Sequence, residues 1–172
     1  HRLAFYDVLT GLPNRRLLME RLGAVVAQAR PGAAISAVLY LDIDHFKGIN
    51  DERGHATGDV LLERAAARLA QAVRGRDMVA RIGGDEFVIL LDARAPDPDT
   101  SVRLALEVAA EVRVALGAPL ELEGQPYRIS ASIGVALVMP GADPHDLLRE
   151  ADTAMYHAKA GGRDGVMLFD GA

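Results

Sequence analysis

Cysteine is absent from the 172 residues, so neither a disulfide nor a thiolate metal site can form, and the reducing cytoplasm is the expected compartment. The histidines, His1, His45, His55, His145 and His157, show no zinc spacing. No apolar run approaches the ~20 residues that span a bilayer, and no signal peptide is visible, so no membrane contact by this domain is expected. An excess of positive charge is missing too. The net charge of −5 and pI near 5.5 argue against nucleic-acid binding, which needs a basic face. Any anionic substrate must therefore be held by a few local cations. Internal repeats and low-complexity segments are also lacking. What remains, 172 residues of which 50% are hydrophobic, fits one globular domain over 1–172 with a sizeable core. The start at His1, without a Met, reads as a fragment of a longer protein.

The chemistry centres on Arg81-Ile82-Gly83-Gly84-Asp85-Glu86-Phe87, between the apolar runs Met78–Ile82 and Phe87–Leu91. Two β-type runs separated by Gly-Gly read as a hairpin, because glycine reaches the positive φ that tight primed turns require. The acidic pair Asp85-Glu86 beside bare backbone suggests a metal-bound phosphate, although for Gly-Gly-Asp taken alone an exposed turn with ordinary Gly/Asp chemistry is the favoured reading. A second acid is harder to dismiss. Asp42 is out of place in Ala37-Val38-Leu39-Tyr40-Leu41-Asp42-Ile43-Asp44, a nearly continuous apolar run that reads as a central strand buried on both faces. An ionised carboxylate there is costly unless it is paired or binds a cation, so Asp42 is read as a metal ligand and Asp44 as structural.

Around these, Asn14 is a good N-cap for an amphipathic helix carrying Leu17, Leu18, Leu22, Val25 and Val26. His45 to Asp59 reads as a polar loop leading into a helix of Val60, Leu61, Leu62, Ala65, Leu69 and Val73. Pro96-Asp97-Pro98-Asp99 breaks the chain before a helix whose Val102, Leu106, Val108, Ala109, Val112 and Leu116 are expected in the core. Leu120 to Ile129 reads as a second hairpin whose return strand continues through Leu137. A helix from about Pro144 ends at Gly161-Gly162 with Lys159 and Arg163 at its terminus, followed by a short strand over Val166 to Phe169.

Four ordered motifs, DVLTGLPNRR (7–16), DIDHFKGINDERGHATGD (42–59), RIGGDEF (81–87) and ADTAMYHAKAGGRDG (151–165), give the chain a close resemblance to the GGDEF family of diguanylate cyclases. The resemblance implies an α/β fold, a mostly antiparallel central sheet flanked by helices, similar to the ferredoxin-like palm of nucleotidyl cyclases. It also implies condensation of two GTP molecules into cyclic di-GMP. By the same resemblance, Asp42, the Ile43 carbonyl, Asp85 and Glu86 hold Mg²⁺ or Mn²⁺, with Glu86 the first candidate for general base. Asn50 and Asp59 match the guanine-reading pair, and a carboxylate accepting from guanine N1–H and the 2-amino group selects GTP over ATP. Phe46 is grouped with the GTP-binding residues. In the absence of a P-loop, Lys47, Lys159 and Arg163 match the holders of the β- and γ-phosphates, and Gly83 and Gly84 lie against the ribose and α-phosphate.

Arg74 and Asp77 match an RxxD site at which product is expected to inhibit. The chain departs from the family pattern after Arg163, where Asp164 stands in place of the usual Asn, with little expected consequence. One chain binds one GTP, so a two-fold homodimer is expected for catalysis, with sensor or effector domains elsewhere in the full-length chain. The alternative is a regulatory module, fused to a phosphodiesterase domain, that only binds GTP or cyclic di-GMP.

Overall fold

The computed structural model describes residues 4–73, 75 and 77–171. In chain order these form α1 (Arg15–Gln28), β1 (Ile35–Ile43), α2 (Phe46–Arg53), α3 (His55–Ala72), β2 (Met78–Gly83), β3 (Glu86–Ala95), α4 (Pro98–Leu116), β4 (Leu120–Leu122), β5 (Gln125–Tyr127), β6 (Ala131–Leu137), α5 (Pro144–Ala160) and β7 (Gly165–Leu168). Five strands make one sheet in the order β2-β3-β1-β6-β7, antiparallel except for the β6–β7 pair. The expected α/β fold is therefore the observed one. No helix among the described residues is long and apolar enough to cross a membrane.

β1 is the central strand, and its alternation builds two cores. Leu39, Leu41 and Ile43 face one layer with buried residues of α3 and α4, while Val38 and Tyr40 face another with residues of α1 and α5. Burial on both faces explains the unbroken apolar run. It also places Asp42 two positions beyond Tyr40, at the end of the strand and on the α5 side.

Several expectations change. The expected helix after Asp59 is present, but it begins already at His55, and residues 46–53 of the expected polar loop form a helix of their own: Phe46 and Ile49, three apart, bury one face of α2 against the core. Gly54, at φ 91°, separates the two helices. The hairpin turn is centred on Gly84 and Asp85 rather than on Gly83-Gly84, since Gly83 still pairs with Glu86 and only Gly84 of the two glycines has positive φ (22°). The second hairpin closes as a separate two-stranded sheet, β4–β5, and does not run on into β6. β6 starts afresh at Ala131 and joins β1. In α4 the core face is Ala105, Ala109, Val112 and Leu116, whereas Leu106 is exposed. β7 begins one residue earlier than expected and stops at Leu168.

Capping agrees with the sequence. The Asn14 side chain accepts from the Leu17 amide at 3.1 Å, and Asp97 and Asp143 do the same job for α4 and α5.

Candidate active site

At one end of the sheet, pairing places Asp42 of β1 directly opposite Glu86 of β3, and the Ile43 amide donates to the Asp85 carbonyl at 3.2 Å. Three acids thus come from two adjacent strands and the turn between β2 and β3. Asp42 is only 6% exposed. One of its carboxylate oxygens, Oδ2, is ion-paired with the Lys159 ammonium of α5, and the other, Oδ1, is buried without a partner.

Burial, and then the nearby Asp42 carboxylate with which it can share a proton, push the Asp85 carboxyl up to about 7. With both groups ionised the two carboxylates repel, and Oδ1 of Asp42 has no donor. Glu86 is also raised, first by burial, and its Oε1 accepts from the Tyr40 hydroxyl at 3.1 Å. Asp152 of α5 is raised by burial and then by Asp42. Against this concentration of acid, Lys159 supplies the compensating charge.

The residues suit a hard divalent cation in donor type, because carboxylate oxygens with an unsatisfied buried lone pair are what such ions neutralise. Among the described residues no three acidic or imidazole groups converge as a finished cage. The geometry accounts for this: Glu86 is turned onto Tyr40, and an ammonium occupies Asp42. Glu86 stands directly across the strand pair from Asp42.

From its acidic end β1 leads through Asp44 and His45 into α2, which packs on α3. Asn50 of α2 presses on α3 so closely that a Cβ added at Gly58 would stand 1.8 Å from its Oδ1 and 3.3 Å from the Phe46 ring. That Oδ1 is the other buried side-chain polar atom without a partner among the described residues. Asp59 is exposed on α3, and Lys47 is exposed on α2. At the end of α5 the Arg163 amide caps the Ala158 carbonyl at 3.0 Å, with Arg163 at φ 64° and its side chain exposed. Lys159 meets Asp42 in this structure, so the cation expected at the phosphates is the one that balances the acids.

Asp44, 2% exposed, is fully occupied by Ser130 Oγ and Ser132 Oγ, each at 2.7 Å, and the Asp164 amide at 2.9 Å. Asp164, the departure from the family pattern, pairs through its side chain with Arg113 at 3.1 Å. Asp77 is likewise used internally, accepting from the Asp92 amide at 2.7 Å and from Arg94. Its expected companion Arg74 lies outside the described residues.

The sequence reading missed Tyr40, Asp152 and Gly58. Tyr40 lies two residues before Asp42, on the same strand face, and Asp152 lies seven before Lys159, on the same helical face; each spacing carried the signal.

A family model for "Diguanylate cyclase, GGDEF domain" matches residues 4–165. The chain belongs to the GGDEF family. It is 44% identical over 170 residues to the bifunctional diguanylate cyclase/cyclic di-GMP phosphodiesterase MucR of Pseudomonas aeruginosa, covering 98% of this chain and 24% of that protein. Among solved structures it is similar to the isolated GGDEF domain of TpbB from Pseudomonas aeruginosa, with TM-score 0.87, 41% identity and coverage of 96% and 94%. It is also similar to the GGDEF domain of DgcB from Caulobacter crescentus in complex with c-di-GMP, with TM-score 0.87, 32% identity and coverage of 98% and 97%. The chain spans about a quarter of the length of curated relatives such as MucR.

Proposed function

We propose that this GGDEF domain is a diguanylate cyclase, joining two GTP molecules into cyclic di-GMP with release of two pyrophosphates. The observation that carries this reading is the pair of buried orphan atoms: Asp42 Oδ1 and Asn50 Oδ1 belong to residues that the family resemblance assigns to cation and guanine. A fold leaves such atoms unpaired at a cost, and a ligand repays it.

In each half-reaction the 3′-hydroxyl oxygen of one GTP forms a bond to the α-phosphorus of the other, and the bond to the bridging oxygen breaks. Pyrophosphate leaves with the electron pair. Asp42, Asp85, Glu86 and the Ile43 carbonyl would hold Mg²⁺ or Mn²⁺, which supplies charge neutralisation at the α-phosphate and acidifies the attacking hydroxyl. Glu86 receives the hydroxyl proton. Asn50 and Asp59 read the guanine edge, with Phe46 and Gly58 fixing Asn50 from behind. Exposed Lys47 and Arg163 take the far phosphates, and Lys159 shifts between Asp42 and substrate as the acids are neutralised. Gly83 and Gly84 leave room for ribose and α-phosphate.

Two GTP molecules need two copies of the chain facing each other. Concentrated or artificially dimerised protein incubated with GTP and Mg²⁺ is expected to yield cyclic di-GMP by mass spectrometry. No product, with GTP still bound, refutes the reading. Product feedback at Arg74 and Asp77 belongs to the same proposal, and Arg74→Ala is expected to weaken product binding and relieve inhibition.

A further inference from the structure

After α5 the chain reverses through a strained turn. Gly162, Arg163 and Asp164 have φ of 121°, 64° and 43°, so three consecutive residues have positive φ and two of them carry side chains. Left-handed backbone costs a residue with a Cβ about 1–2 kcal/mol, and it persists where the surroundings over-determine it. Strand register places the turn at the acidic end of the sheet, because Asp42 of β1 pairs with Ser132 of β6 and Ser132 pairs with Gly165 of β7.

Three elements hold this turn. The Arg163 amide donates to the Ala158 carbonyl of α5 at 3.0 Å. The Asp164 amide donates to the buried Asp44 carboxylate, just beyond β1, at 2.9 Å. From the last turn of α4, Arg113 Nη2 donates to the Asp164 carbonyl at 2.6 Å and to its Oδ1 at 3.1 Å, and Nε adds a longer bond to Oδ1 at 3.3 Å. Both peptide groups of Asp164 are therefore gripped from outside the turn. The Arg113 and Asp164 side chains are 34% and 50% exposed, so their ion pair contributes little by itself, and the grip on the backbone carbonyl matters more. Arginine suits the position, because its planar fork engages a carbonyl and a carboxylate together.

We propose that Arg113 is a positioning residue for Arg163: by holding the Asp164 peptide it fixes the left-handed turn from which the exposed Arg163 side chain reaches the far phosphates of GTP. The proposal rests on the reading of Arg163 as a phosphate holder.

The test is isothermal titration, with Mg²⁺ present, of GMP and of α,β-methylene-GTP, which cannot be cleaved at the α-phosphorus, alongside melting temperatures. The proteins are wild type, Arg113→Met, Asp164→Asn, Arg163→Ala and the Arg113→Met/Arg163→Ala double variant. Arg113→Met keeps the stem and removes the fork. It is expected to melt close to wild type, to bind the triphosphate about fivefold more weakly, and to bind GMP, which lacks the far phosphates, as wild type does. In the Arg163→Ala background the same substitution is expected to add nothing, because it acts through Arg163. Asp164→Asn keeps both backbone contacts and tolerates a left-handed φ, so it is expected to stay within about twofold of wild type. Wild-type triphosphate affinity in Arg113→Met, equal losses for GMP and triphosphate, additive losses in the double variant, or a loss in Asp164→Asn as large as that in Arg113→Met overturns the proposal. Wild-type affinity in Arg163→Ala also overturns it, by removing the phosphate role, and cyclic di-GMP made by dimerised wild type keeps that outcome apart from failure of the cyclase reading.

Discussion

Asp42 and Asp44 lie two residues apart, both almost wholly buried, and their surroundings differ completely. Asp44 has two serine hydroxyls and a backbone amide on its oxygens, so its charge is fully solvated by the fold. Asp42 has one ammonium on one oxygen, nothing on the other, and three further acids nearby whose protons it helps to retain. A buried carboxylate completed by its own chain is part of the scaffold; one left incomplete among like charges is held ready for something that arrives.

The sharpest way to break this contrast is to neutralise each acid in turn. Asp42→Asn is expected to cut cyclic di-GMP formation by at least about 10³-fold while the melting temperature holds or rises. Equal turnover would put Asp42 with Asp44. Next in size, Asp44→Ala strands two hydroxyls and an amide, and is expected to cost about 3 kcal/mol, lowering the melting temperature by roughly 10 °C in thermal unfolding.

Gly58→Ala extends the contrast to the second orphan atom. The new methyl must push the Asn50 amide aside, which is easy for the fold but not for the guanine reading proposed for Asn50. The expected result is about a tenfold rise in KM for GTP, with little loss of stability because alanine favours the helix. The smallest effect concerns pH. Asp85 binds its proton more tightly folded (about 7) than unfolded (3.8), and the shifts of Glu86 and Asp152 have the same sign. In chelator-treated protein these acids favour folding at low pH, so their contribution falls as pH rises from about 4 to about 7. Asp85→Asn is expected to flatten that decline in melting curves.

Much of this was legible in the sequence. The central strand followed from its apolar run, and Asp42 announced itself by interrupting it. The region from Phe46 to Asp59 was misjudged because its many polar residues hide a short amphipathic stripe; burial of Phe46 and Ile49 overrides local turn chemistry. The contacts that tune the acids were not legible at all. That Tyr40 would hold Glu86, or that Lys159 would meet Asp42 from 117 residues away, depends on strand register and on how α5 lies against the sheet.

The central claim, that Asp42 is kept incomplete for a cation, is tested most directly by Mn²⁺ binding followed by electron paramagnetic resonance in the presence of GTP. Wild type is expected to bind, with Asp42→Asn weakened by at least about tenfold and Ser130→Ala, which loosens only Asp44, binding like wild type. Identical Mn²⁺ isotherms for wild type and Asp42→Asn would contradict the account.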